Sequence, residues 1–318
     1  MATVRVPPRR VTLPCIADLV IVSDPEQIRQ VAAHPQIDRL HAVSTEEKPW
    51  WVRTLFPATR FWDQDDNYFV PLTSSTAPGY THRRDYIKDK LVSGISKEDV
   101  ALVARLLHEG ALDMDLTMAV VNAVNKRFFG EKGIPEDVVK AALGTVDEIS
   151  AGTMTSYWSA KRAQERVLKF IQSNPEDLGG CPAADFSHHI GASAQLLTPA
   201  CKYLYAQRNR DRPVLDIFTE HDMPLTKRTL RIAVEDTTVD GLLDRPAIAN
   251  RTVFILDIRN ASAATKDPLF TFGAGVDQRQ CMFKLVFQQF MEELQVLLYS
   301  KCSFGDVWCK CLCGTSLP

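Results

Sequence analysis

The stretch Thr271-Phe272-Gly273-Ala274-Gly275-Val276-Asp277-Gln278-Arg279-Gln280-Cys281 runs without a break into Met282-Phe283-Lys284-Leu285-Val286-Phe287. A glycine-rich loop thus delivers one cysteine to the start of a long apolar helix. Its glycines free the backbone to take positive φ and to pass close to a flat object. The helix start lends partial positive charge, which favours thiolate at Cys281. Two readings of these residues stand side by side. The loop either packs a buried structural cysteine before a helix or presents a thiolate to an iron centre.

A chain of 318 residues is long enough to bury a large core, and nothing in it forces a split, so residues 1–318 are expected to form a single domain. Hydrophobic residues make up 45% and the net charge is −2, which excludes the basic excess of a nucleic-acid surface. No apolar run reaches about 18 residues, and Met1 to Arg10 lacks the apolar core of a signal peptide. A cytoplasmic protein without a transmembrane anchor is expected. Cys15, Cys181, Cys201 and Cys281 stand singly, as in a reducing compartment, whereas Cys302, Cys309, Cys311 and Cys313 cluster at the end. A tetrathiolate zinc site there would need all four cysteines, and no histidine lies near. The segment 302–318 reads rather as an atypical Cys-rich tail.

Val11 to Val22 is β-rich, and Ser23-Asp24-Pro25-Glu26 opens a helix whose apolar face is Ile28, Val31 and Ala32. Residues 44–80 are irregular and aromatic, including Trp50, Phe61 and Tyr80. Two helices are expected over 97–129, the first ending at Gly110 and the second running from Asp115 to Phe129. Helix continues from Gly133 to Ser173 and carries a charged run at Lys161 to Arg166. A short helix around Gly191, Ala192 and Ser193 is expected to stop at Pro199. His188 and His189 read as capping or core residues before ligands. Leu230 to Gly241 reads as two strands around a turn, and Val253 to Ile258 as another strand.

In this order the pieces resemble a known family. Phe272, Gly273, Gly275, Arg279 and Cys281 are similar to the haem-thiolate loop of the cytochromes P450, F-G-x-G-x-R/H-x-C-x-G, with three residues between Gly275 and Arg279 and Phe283 in place of the last glycine. Tyr80 to Arg84 resembles the family's H/W-x-x-x-R helix, and the order of Arg231, Asp236, Gly241, Asp267-Pro268 and Cys281 resembles its C-terminal third. The resemblance implies a mainly α fold with small β-sheets and one haem b, its iron held by Cys281. Arg84, Arg231 and Arg279 would meet the haem propionates, and Gly191, Ala192 and Ser193 would lie on the distal helix. It implies a haem-thiolate oxidoreductase, a monooxygenase or a peroxide-using variant, with a small apolar or lipid-like substrate and an electron-donor protein as possible partner.

Two departures weigh on activity. The distal acid–alcohol pair that relays protons is missing, with Ser193 and Gln195 the polar groups there. The one E-x-x-R is Glu26 to Arg29, far from its family place, where Asp216, Glu220 and His221 stand as candidate substitutes. The alternative reading is therefore a degenerate, non-catalytic relative acting as a binding or regulatory module. A nucleophilic Cys281 in a plain soluble enzyme is a third, with no His–Asp pair placed to activate it.

Overall fold

The structure is a computed structural model and describes residues 7–14, 16–39, 50, 79–130, 132–151, 156–174, 183–208, 229–265 and 283–299. The described chain is mainly helical around one small mixed sheet.

The sheet contains β1 (Arg9–Leu13), β2 (Ala17–Val22), β3 (Ile37–Arg39), β4 (Thr229–Ala233) and β5 (Thr252–Leu256). Its order is β1-β2-β5-β4-β3, with β2 and β5 parallel and the other pairs antiparallel. Parallel neighbours need a crossover. Here the connection between β2 and β5 contains most of the helical body, so strands from early and late in the described chain meet in one sheet. On one sheet face, Val20, Val22, Phe254 and Leu256 bury against α1 (Pro25–Ala33) and α9 (Ile258–Thr265). The contributions from α1 are Ile28, Val31 and Ala32, the face expected from spacing. Fully burying Ile28 or Val31 contributes roughly 1.5–3 kcal/mol each. Asp24 caps α1, its Oδ1 accepting from the amides of Glu26 and Gln27, both at 3.0 Å, and Pro25 stands in the first turn.

The helical body consists of α2 (Tyr80–Gly94), α3 (Lys97–Glu109), α4 (Asp113–Phe129), α5 (Glu136–Ala151), α6 (Ser156–Gln172), α7 (Ala183–Ala192), α8 (Thr198–Ala206) and α10 (Phe283–Tyr299). α3 ends at Gly110 as expected, with φ +66, the left-handed conformation a C-terminal glycine supplies cheaply. α10 buries Phe283, Val286, Phe287, Phe290, Met291, Leu294 and Leu298, a stripe at helical spacing. Its end is tied to the end of α8 by the Tyr299 hydroxyl, which donates to the Gln207 carbonyl at 3.1 Å.

Four expectations change. Val11 to Val22 is a hairpin, because the chain turns after Leu13, whose carbonyl accepts from the Ile16 amide at 3.0 Å. Leu230 to Gly241 supplies one strand. The rest pairs through a single bridge, Thr237 with Ala247, while Asp236 Oδ1 takes the Ala249 amide at 2.8 Å. The helical stretch over 133–173 is two helices, α5 and α6. The helix at Gly191 does not stop at Pro199. A π-turn (Ser193–Leu197) links α7 to α8, and Pro199 falls in the first turn of α8. The regular ladder is already interrupted there, so a ring without an N–H is tolerated.

Candidate functional site

Gly191 and Ala192 end α7, Gly191 buried and Ala192 half-buried, and the π-turn begins at the next residue. Ser193 is fully buried. Its hydroxyl donates to the His189 carbonyl one turn back, a bond that competes with the helical ladder and bends it. The same oxygen accepts from Asn125 Nδ2 of α4 at 3.3 Å, and Asn125 Nδ2 also donates to the Val121 carbonyl at 2.8 Å. Asn125 is 1% exposed, and its buried Oδ1 has no hydrogen-bond partner among the described residues. The Ser193 hydroxyl is thus directed into the helix bundle. The sequence placed Asn125 inside the helix expected from Asp115 to Phe129 and gave it no role. The available signal was a polar residue on the apolar stripe that includes Val121, Val124 and Phe128.

His189 is also fully buried, as the core reading expects. Its ring centroid lies 5.5 Å from that of Phe283, the rings inclined by 33°. Phe283 is the first residue of α10, so α7 packs directly on the start of the helix that follows the glycine-rich loop. Phe283 stands where the family motif has glycine, and its aromatic ring is what makes this contact.

Arg84 falls on the inward stripe of α2, in step with Tyr80, Ile87 and Leu91, and is 8% exposed. Asp85, half-exposed, sits 3.4 Å from its Nη1. A guanidinium on a core stripe is costly unless anionic groups meet it. Arg231 of β4 is likewise 8% exposed, opposite Phe254 of β5 in the register and beside the fully buried Ile232. Two buried guanidiniums are the donor type that the two carboxylates of a haem require, forked and permanently charged. On this count the described residues fit the group.

Phe272, Gly273, Gly275, Arg279 and Cys281 lie outside the described residues, as do Asp216, Glu220, His221, His188's side chain and the Cys-rich tail. Among the described residues no cluster of three or more His, Cys, Asp or Glu is arranged for a metal ion. Cys201 of α8 is fully buried, and burial pushes its thiol far up, so it stays neutral and is no rival thiolate ligand. No helix among the described residues is long and apolar enough to cross a membrane.

No protein-family profile matches the chain, and no curated protein matches it by sequence. Solved structures do match by shape. A six-coordinated cytochrome P450 from Thermus thermophilus is 12% identical with a TM-score of 0.63, covering 91% of this chain and 85% of its own. The LnmZ cytochrome P450 hydroxylase from the leinamycin biosynthetic pathway of Streptomyces atroolivaceus is 16% identical with a TM-score of 0.58, covering 92% of each chain. The cytochrome P450 TxtC, which carries out sequential aliphatic and aromatic thaxtomin hydroxylation, is 14% identical with a TM-score of 0.63, covering 94% of this chain and 91% of its own. By this likeness of shape over most of its length, the chain has a cytochrome P450-like fold.

Proposed function

We propose that residues 1–318 act as one haem-thiolate oxidoreductase unit on a small apolar organic or lipid-like substrate. The observation that carries this reading is Arg84, a guanidinium held 8% exposed on the inward face of α2 in a P450-like fold. Cys281 would hold the iron of a haem b, and Arg84, Arg231 and Arg279 would meet the propionates. Phe272, Gly273 and Gly275 would let the loop lie against the ring. When bound, the thiolate-ligated haem supplies electron density that favours O–O cleavage.

The chain's own residues set what happens around it. Gly191 and Ala192 keep the helix surface small where a flat group needs room. Ser193 has its hydroxyl committed to the His189 carbonyl, and its oxygen takes Asn125 Nδ2. That bonding suits a helix-shaping role better than delivering protons to a bound oxidant. A peroxide-using reaction, which needs no such delivery, therefore fits better than one that takes electrons from a donor protein. The alternative is a non-catalytic binding module, favoured by the same tied hydroxyl.

The test is a spectrum. The full chain is purified after growth with a haem precursor, reduced and exposed to carbon monoxide. A strongly red-shifted Soret band that is lost in Cys281→Ala is expected. No haem band after reconstitution leaves the non-catalytic reading. With haem bound, turnover driven by peroxide against turnover driven by a reductase separates the two enzymatic forms.

A further inference from the structure

We propose that α6 carries a docking face for an anionic lipid surface. This rests on surface residues alone and is independent of the haem reading. Trp158 is 61% exposed, an uncommon state for an indole. Lys161, Arg162, Glu165, Arg166 and Lys169 share its side of the helix, an arc of about 140° at 3.6 residues per turn. The stripe thus holds four cations against one carboxylate in a chain whose net charge is −2.

Arg162, Arg166 and Lys169 form no ion pair among the described residues, and Lys161 Nζ sits 5.9 Å from the centroid of the Trp158 ring. Elsewhere some surface cations are answered locally, as Lys88 is by Asp85 at 3.5 Å, Lys126 by Asp99 at 3.6 Å and Lys140 by Glu136 at 2.5 Å. The opposite side of α6 is locked into the bundle through Ala160, Gln164, Val167 and Ile171, all buried. The stripe therefore cannot rotate inward, and the helix cannot offer its apolar side to a bilayer.

Contact would be peripheral, with headgroup phosphates and carboxylates meeting the cations and the indole seated at the interface, where Trp is favoured. A stripe of long cationic side chains along one helix side suits a flat surface of diffuse negative charge. An acidic protein would be recognised instead through a shaped pocket with aligned partners.

The experiment is co-sedimentation of the full chain with vesicles of phosphatidylcholine containing phosphatidylserine. Phosphatidylcholine alone is one control and soluble poly-glutamate a competitor. Binding to the anionic vesicles is expected to weaken as salt rises. R162E/R166E should lower the partition coefficient about tenfold or more, and R162Q/R166Q by less. Trp158→Ala should lower it severalfold while leaving the salt dependence unchanged. Lys132→Glu, an exposed reversal off the stripe, should leave it unaltered. Thermal melts confirm that each variant is folded. The proposal is overturned by equal binding to both vesicle types, by no binding at all, by poly-glutamate displacing the protein at matched charge, or by Lys132→Glu acting as strongly as R162E/R166E.

Discussion

The side-chain amide of Asn125 donates to the hydroxyl oxygen of Ser193 at 3.3 Å, joining α4 to the first residue of the π-turn, 68 positions away in sequence. The link is fully buried and half complete, because Asn125 Oδ1 meets no donor among the described residues. A half-satisfied polar contact in a core weakens stability while fixing geometry.

Asn125→Leu is therefore expected to cost less than about 1 kcal/mol, or to stabilise, since it removes an unsatisfied oxygen along with the donor. Ser193→Ala should cost about 1 kcal/mol, because Asn125 Nδ2 keeps its bond to Val121. Denaturant unfolding of both variants and the double variant measures this. A large penalty for Asn125→Leu alone would show that the amide is fully satisfied in solution.

Arg84→Met separates the structural role of this side chain from its proposed role toward a haem. A methionine of similar reach removes a buried charge, so the haem-free protein should keep its stability within about 1 kcal/mol or gain. Haem content after reconstitution should fall severalfold, and Arg84→Lys should recover part of it. Equal haem content in Arg84→Met would remove Arg84 from the cofactor's surroundings.

The fold's acid sensitivity has a named source in the sheet. Burial raises the Asp18 carboxyl, but the hydrogen bond from Arg10 (2.8 Å), the polar Thr12 beside it and the charges of Arg10 and Arg251 outweigh it, leaving the group below its ordinary value. A depressed carboxylate adds stability above its unfolded value, and that stability is lost as pH falls through the folded one. The loss lies below about pH 4. Asp18→Asn should cost about 1 kcal/mol at neutral pH and flatten this acid limb, which unfolding curves between acid and neutral pH would reveal.

Two glycines with the same φ sign should respond differently to alanine. Gly110 has open space around a Cβ, so Gly110→Ala is expected to cost about 1 kcal/mol from φ alone. At Gly133 a Cβ would meet Asn122 Oδ1 at 2.7 Å, and that oxygen accepts the Ile134 amide, also at 2.7 Å. Gly133→Ala should then cost about 2–3 kcal/mol. Thermal melts of the pair give the difference directly.

Cys201, neutral and sealed inside α8, should resist a thiol reagent in the native state and react at the rate of global unfolding. Labelling followed by peptide mass analysis checks this, with faster labelling pointing to local opening of the bundle.

Much of the fold was readable because its signals are local. Asp24-Pro25, the Ile28, Val31 and Ala32 face, and Gly110 each state a helix boundary or side within a few residues. The order of elements through Arg231 likewise led to the P450-like fold, now matched by solved structures. Less of the candidate site was readable. Pro199 looked like a stop because its missing N–H is a local fact, whereas the π-turn that accommodates it depends on Ser193 meeting Asn125 from another helix. Asn125 carried no mark in sequence beyond a polar letter on an apolar stripe. Phe283 read as a lost glycine until its ring was found against His189.

The sequence by itself determined where helices begin, which sides of them are apolar and in what order they follow, since periodicity and capping act over one or two turns. The tertiary structure alone decided that β5 slots beside β2, that Arg84 and Arg231 are withdrawn from water, and that the helix at Gly191 runs on past Pro199. Each of these depends on neighbours brought together from distant parts of the chain, and burial, unlike helix propensity, is a property of those neighbours.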